Sequence, residues 1–218
     1  MPDLDYHDKI AVIDLGGEEN RFSPEFLDEV NTHLDTALAD GAAGLVTTAS
    51  GKFYSNGLDL DWLGANADRT PWYVSRVQAL FARVLTLPIP TVAALPGHAF
   101  GAGAMLAIAH DYRVMRADRG YFCFPEVDIR IPFTPGMAAL VQAKLSPKTA
   151  VASMTTGRRF GGSDASALDI VDATAAEGEV TTAAIAMLAP LGEKDQATLG
   201  AIKNTMFASA VAALTADA

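Results

Sequence analysis

An α/β fold with a largely parallel core is predicted by three observations. Short β-rich runs alternate with longer amphipathic segments, hydroxyl–proline and glycine signals punctuate the alternation, and the chain beyond residue 145 reads as mostly helical. Residues 9–15 (KIAVIDL) form the first β-rich run and end on a glycine pair. Ser23 then stands as an N-cap, Pro24 fits the first helical position, and Glu25 and Asp28 suit the positive end of a helix. Phe22 and Leu27 occupy staple positions, and Phe26, Val30, Leu34, Ala37 and Leu38 continue a helical stripe.

Residues 44–48 (GLVTT) read as a buried strand, followed by a loop over 49–57. Thr70-Pro71 opens a second long helix with Tyr73, Val77, Leu80, Phe81 and Val84 on one face. Residues 91–95 (TVAAL) are a strand ending at Pro96-Gly97, and a helix over 104–109 follows the turn at 101–103. Residues 112–115 and 121–124 are short strands, and Thr134-Pro135 and Ser146-Pro147 repeat the cap–proline signal. No linker-like stretch or repeat interrupts the chain; residues 173–190 are alanine-rich. One domain is expected, with a core over residues 1–146 and a helical C-terminal region over 147–218.

Composition narrows the function classes. Half of the 218 residues are hydrophobic and 19% are charged, which is a globular balance. The net charge of −10 argues against nucleic acid or an anionic membrane as the main partner, since both need a basic footprint. An anionic small ligand held by a few local cations stays open. Cys123 is the one cysteine, so neither an intramolecular disulfide nor a cysteine-built metal cluster is available. The start MPDLDYHDKI has no apolar signal region, no apolar run approaches the roughly 18 residues of a membrane span, and LTADA is not a peroxisomal tripeptide. A cytoplasmic protein is the expectation.

Three segments carry the chemistry: residues 50–63 (SGKFYSNGLDLDWL), 89–115 (IPTVAALPGHAFGAGAMLAIAHDYRVM) and 122–137 (FCFPEVDIRIPFTPGM). In this order and spacing they resemble the crotonase (enoyl-CoA hydratase/isomerase) superfamily, over residues 9–172. The pairing of SNGLDL with PEVDI is most similar to plant-type and bacterial Δ3,Δ2-enoyl-CoA isomerases. The resemblance implies the crotonase fold of stacked ββα units with a helical C-terminal region, an acyl-coenzyme A thioester as substrate, and a homotrimer or hexamer.

The residues suit that chemistry. Moving the double bond of an enoyl thioester removes a proton beside the carbonyl and puts negative charge on the thioester oxygen. Two backbone N–H groups can stabilise that charge, and small residues such as Gly101, Ala102 and Gly103 let substrate approach them at a helix start. The family's oxyanion donors carry over onto the N–H groups of Leu58 and Ala102, beside Ser55, Asn56 and Gly57. Glu126 follows the apolar run 122–125, so it is expected to be desolvated and to titrate high enough to act as a base. The family's glutamate after proline carries over onto Glu126.

Hydratases of this superfamily use a second glutamate, which aligns with Met105; a thioether cannot deprotonate water, so single-glutamate isomerisation is the expected reaction. The position where another isomerase subgroup carries its acid, around Phe133-Thr134-Pro135, holds none. Hydration, thioester hydrolysis and a non-catalytic acyl-CoA-binding role are the alternatives. Coenzyme A contacts are expected around residues 19–22, with Asn20, Arg21 and Phe22 as candidates. No metal or redox cofactor is expected, and His98 and His110 read as packing or hydrogen-bonding residues. Asp128 and the Thr156-Gly157-Arg158-Arg159 turn are weaker candidates. Relatives carry more chain at the C-terminus, leaving residues 200–214 as the expected remnant of a pocket-covering helix.

Overall fold

The computed structural model describes residues 1–216. Among these residues, nine strands form two sheets. Strands β1 (Asp3–His7), β2 (Ile10–Asp14), β3 (Gly44–Thr48), β5 (Thr91–Leu95), β7 (Tyr112–Arg116) and β9 (Ala173–Ala175) lie in the order β1-β2-β3-β5-β7-β9. Only the β1–β2 hairpin is antiparallel; the other pairings are parallel. Strands β4 (Phe53–Ser55), β6 (His98–Phe100) and β8 (Phe122–Cys123) form a second, parallel sheet.

The chain builds both sheets at once. β3, β5 and β7 enter the large sheet, and each is followed by a strand of the small one, then by helix. These are the expected stacked ββα units. Parallel neighbours need crossovers, and helices α2 (Leu60–Ala65), α3 (Thr70–Leu85), α4 (Ala102–Ala109) and α5 (Glu126–Ile129) provide them.

Local chemistry sets the elements. Helix α1 (Pro24–Ala39) starts at Ser23, whose hydroxyl accepts from the Phe26 N–H. Its buried stripe includes Phe26, Leu27, Val30, Leu34 and Ala37. Helix α3 buries Tyr73, Val77, Leu80, Phe81 and Val84, as the sequence pattern predicts. Every residue of α4 is buried, as its unbroken apolar composition requires of a helix with no solvent face. Thr134 and Ser146 cap α6 (Pro135–Lys144) and α7 (Pro147–Met154).

The sequence reading missed four strands. β1 is mostly exposed and carries alternate acidic residues, so it shows no buried face. β4 and β6 are three residues long; β4 lies within the loop read over 49–57, and β6 lies between Pro96-Gly97 and the turn at 101–103, a stretch read as no element. β9 lies in the region read as helical and joins the large sheet beside β7. The rest of that region is helical: α8 (Gly162–Ala167), α9 (Val180–Leu188), α10 (Gln196–Met206) and α11 (Ala208–Thr215). Residues 217–218 of the expected C-terminal region lie outside the described residues.

Candidate active site

The site forms where the small sheet passes into α4 and α5. β6 ends at Phe100, Gly101 turns the backbone with φ +52°, and α4 begins at Ala102. The loop after β4 reaches the same point. Gly57 has φ +83°, and a Cβ there would lie 2.8 Å from the Phe100 carbonyl oxygen and 2.9 Å from the Ala102 nitrogen. The backbone beside Leu58 therefore touches the backbone at the start of α4, a contact that only glycine permits. A Cβ on Gly103 would stand 2.5 Å from the Ser55 carbonyl oxygen, so α4 and β4 are packed equally tightly one residue on. Among the described residues, neither the Leu58 nor the Ala102 N–H donates to a protein acceptor.

The SNG segment is held from beneath. The buried Ser55 hydroxyl donates to the Asn20 carbonyl (2.8 Å) and accepts from the Gly57 N–H (3.0 Å). The Asn56 N–H donates to the Glu19 carbonyl at 2.8 Å, and its side-chain amide donates to the Glu19 carboxylate at 3.1 Å. Asn20 takes a left-handed backbone (φ +50°), and its side-chain N–H group reaches the carbonyls of Gly16, Phe53 and Tyr54. That amide clamps the loop together. Arg21 is tied to Glu19 at 2.6 Å and to Asp61 at 2.9 Å. Phe22 is buried, stacked on Phe26, and its N–H donates to the Gly57 carbonyl at 2.9 Å. The structure thus places Asn20, Arg21 and Phe22 alongside the Ser55–Leu58 loop, with side chains engaged in protein contacts.

Glu126 opens α5 directly after β8 and Pro125. It is 8% exposed, and its Oε1 stands 3.5 Å from where a Cβ on Gly101 would be. Its Oε2 is buried with no partner among the described residues. Burial pushes the Glu126 carboxyl up to about 7, against a smaller opposing effect of its own backbone N–H. Met105 lies one turn into α4, is 1% exposed, and joins the apolar core.

The weaker candidates lie elsewhere. Asp128 is exposed and sits over the backbone of Gly157 in the Thr156–Arg159 turn. Arg158 pairs with Asp164 at 2.6 Å, and Arg159 lies over Phe100. His110 is fully buried between the Leu106 carbonyl (2.9 Å) and the Thr47 hydroxyl (3.0 Å), and burial pushes it down to about 3. It is a neutral packing residue, as expected. His98 stacks on Tyr121. No group of three potential metal ligands occurs among the described residues.

Enoyl-CoA hydratase/isomerase is the family description that matches, over residues 5–217. The chain belongs to this family. Curated relatives include two Arabidopsis thaliana proteins, the peroxisomal enoyl-CoA delta isomerase 2 and enoyl-CoA delta isomerase 3. The first is 38% identical, with 82% of this chain and 79% of the relative covered. The second is 39% identical, with 83% and 80% covered. Among solved structures, a Mycobacterium tuberculosis protein described in one structure as a probable enoyl-CoA hydratase and in another as an enoyl-CoA isomerase superposes with a TM-score of 0.91 at 26% identity, covering 99% of this chain and 92% and 95% of those chains. Human mitochondrial Δ3,Δ2-enoyl-CoA isomerase shares the crotonase fold, with a TM-score of 0.90 at 22% identity over 97% of this chain and 84% of that one. No single helix of the described residues is long and apolar enough to cross a membrane.

Proposed function

We propose that this chain is a Δ3,Δ2-enoyl-CoA isomerase with Glu126 as its proton carrier. One observation carries the reading: a buried carboxyl pushed up to about 7 faces the Gly101 turn, where the Leu58 and Ala102 N–H groups lack protein acceptors among the described residues, and no second acid stands at Met105. Glu126 takes a proton from C2 of a 3-enoyl-CoA. Negative charge moves to the thioester oxygen, which accepts from the Leu58 and Ala102 N–H groups. The same carboxyl returns the proton to C4, giving 2-enoyl-CoA with no net proton change. The step needs no metal or redox group, and coenzyme A belongs to the substrate.

Hydration would need a water held and deprotonated on the β-carbon face. Met105 offers no carboxylate for that, and its burial keeps that side of the turn apolar. Incubation with 3-hexenoyl-CoA and, separately, 2-hexenoyl-CoA tests the assignment. The 3-enoyl ester should give the 2-enoyl ester; rapid formation of 3-hydroxyacyl-CoA from the 2-enoyl ester would contradict it.

The reading includes a homotrimer or a dimer of trimers. Val127, Ile129 and Ile131 beside Glu126, with Ile202 and Met206 on α10, are apolar and exposed, and assembly would cover such surface. Light scattering that finds only a 22.9 kDa monomer at micromolar concentration would contradict it. Cytoplasmic location is part of the same proposal, tested by cell fractionation.

A further inference from the structure

Tyr73 stands out among residues that the reaction does not use directly. It lies on the first turn of α3, its side chain is fully buried, and burial pushes its hydroxyl up to about 12. That hydroxyl donates to the Phe22 carbonyl at 2.7 Å and accepts from the Asp59 N–H at 2.9 Å. Phe22 and Asp59 flank Leu58 on both sides. Phe22 forms a parallel bridge with Leu58, and its N–H donates to the Gly57 carbonyl, while Asp59 is the next residue after Leu58.

The bridge between Phe22 and Leu58 is isolated, not part of a sheet. Gly57 fixes the backbone on one side of Leu58 through its contact with the start of α4. On the other side α2 fully buries none of its residues, and only Trp62 and Leu63 pack partly against the core, so the anchor it offers Leu58 is incomplete. Tyr73 fills that gap: its hydroxyl holds the Asp59 N–H, and its ring stacks on Trp62 of α2 at 5.2 Å and 26°.

We propose that Tyr73 is a positioning residue, whose hydroxyl sets the direction of the Leu58 N–H toward the substrate carbonyl. The proposal rests on the isomerase reading for the part played by that N–H. Loss of the hydroxyl would leave a buried carbonyl and a part-buried N–H without this partner and release the C-terminal side of Leu58. An N–H that swings away from the developing oxyanion weakens stabilisation in the transition state more than binding in the ground state.

The test uses Tyr73→Phe and a substrate-like probe, 2,4-hexadienoyl-CoA labelled with carbon-13 at the thioester carbonyl. In the wild type, the carbonyl stretch of the bound probe should move to lower frequency. In Tyr73→Phe that movement should shrink, kcat on 3-hexenoyl-CoA should fall by about tenfold to a hundredfold, and KM should stay within about threefold. p-Aminophenylalanine at position 73, which restores the donor to Phe22 but is a poor acceptor for the Asp59 N–H, should leave most of the loss in place. An unchanged band with kcat within about twofold of wild type would overturn the proposal. So would a fall in kcat that only tracks the folded fraction, with the band of bound probe unchanged. If Tyr73→Phe does not fold, 3-fluorotyrosine at the same position keeps the hydroxyl but makes it a stronger donor and a weaker acceptor, at the cost of one small ring substituent; an unchanged band and kcat there would also overturn the proposal. Wild-type protein that polarises the probe without isomerising 3-hexenoyl-CoA would defeat the isomerase reading, and the band comparison would still decide the role of Tyr73.

Discussion

The Glu126 carboxylate lies against Gly101: Oε1 is 3.5 Å from where a side chain on that glycine would begin. Gly101 immediately precedes Ala102, so the proposed proton carrier and one proposed oxyanion donor meet at a single turn. A substrate held on the Ala102 N–H would place its α-carbon near the acid, which is the geometry that lowers the cost of deprotonation.

The pH dependence follows from that burial. Glu126 must be ionised to accept a proton, and burial raises it from 4.5 to about 7. With proton transfer rate-limiting, kcat/KM for 3-hexenoyl-CoA should rise across roughly pH 6–8 and then level off. A profile flat from pH 5 to 8 would show that another group accepts the proton.

Stability should carry the opposite sign. A carboxyl raised in the folded state favours folding below its unfolded value, and that contribution is lost as pH rises from 4.5 through about 7. Glu126→Gln has no such titration. It should therefore melt above wild type at pH 8, by about 2–3 kcal/mol of unfolding free energy, with the difference shrinking toward pH 5. Denaturant titrations at the two pH values measure this; a constant difference would contradict it.

Gly57→Ala tests the joint between the two loops. Its Cβ would meet the Phe100 oxygen and Ala102 nitrogen inside van der Waals contact, at a positive φ. Either effect should move the Leu58 and Ala102 donors. kcat should drop by about a hundredfold, with stability lower by about 1–3 kcal/mol. Calorimetry and turnover check the two effects separately, and turnover near wild type would separate that contact from catalysis.

Met105→Glu tests whether the acid missing from α4 is what limits hydration. A carboxylate on α4 one turn past Gly101 should raise 3-hydroxyacyl-CoA formation from 2-hexenoyl-CoA, with each acid shifting the other's titration. The wild type should hydrate at least about a hundredfold more slowly than it isomerises. Product analysis by mass and retention time decides this; equal wild-type rates would defeat the single-glutamate argument.

The parts legible in sequence are those with strong local chemistry. Ser23-Pro24, Thr134-Pro135 and Ser146-Pro147 mark helix starts because a hydroxyl cap and a fixed φ act within a few residues. The burial of Glu126 is readable because the acid follows directly on an apolar run. β4 and β6 were not, since three-residue strands carry too few side chains for a period and depend on partners far away in sequence. Asn20 illustrates the same limit: the resemblance points to coenzyme A contact around residues 19–22, and nothing in the local sequence tells that its amide binds three carbonyls. Tyr73 read only as part of the α3 stripe, because hydrophobic spacing says nothing about where a hydroxyl points.

Glu126→Gln assayed on 3-hexenoyl-CoA, with binding of the ester measured in parallel, tests the central claim most directly. The substitution keeps the shape of the side chain and removes its basicity. Turnover should fall by about 10²–10⁴-fold while the ester still binds. Turnover close to wild type would contradict the account and place the proton on another residue.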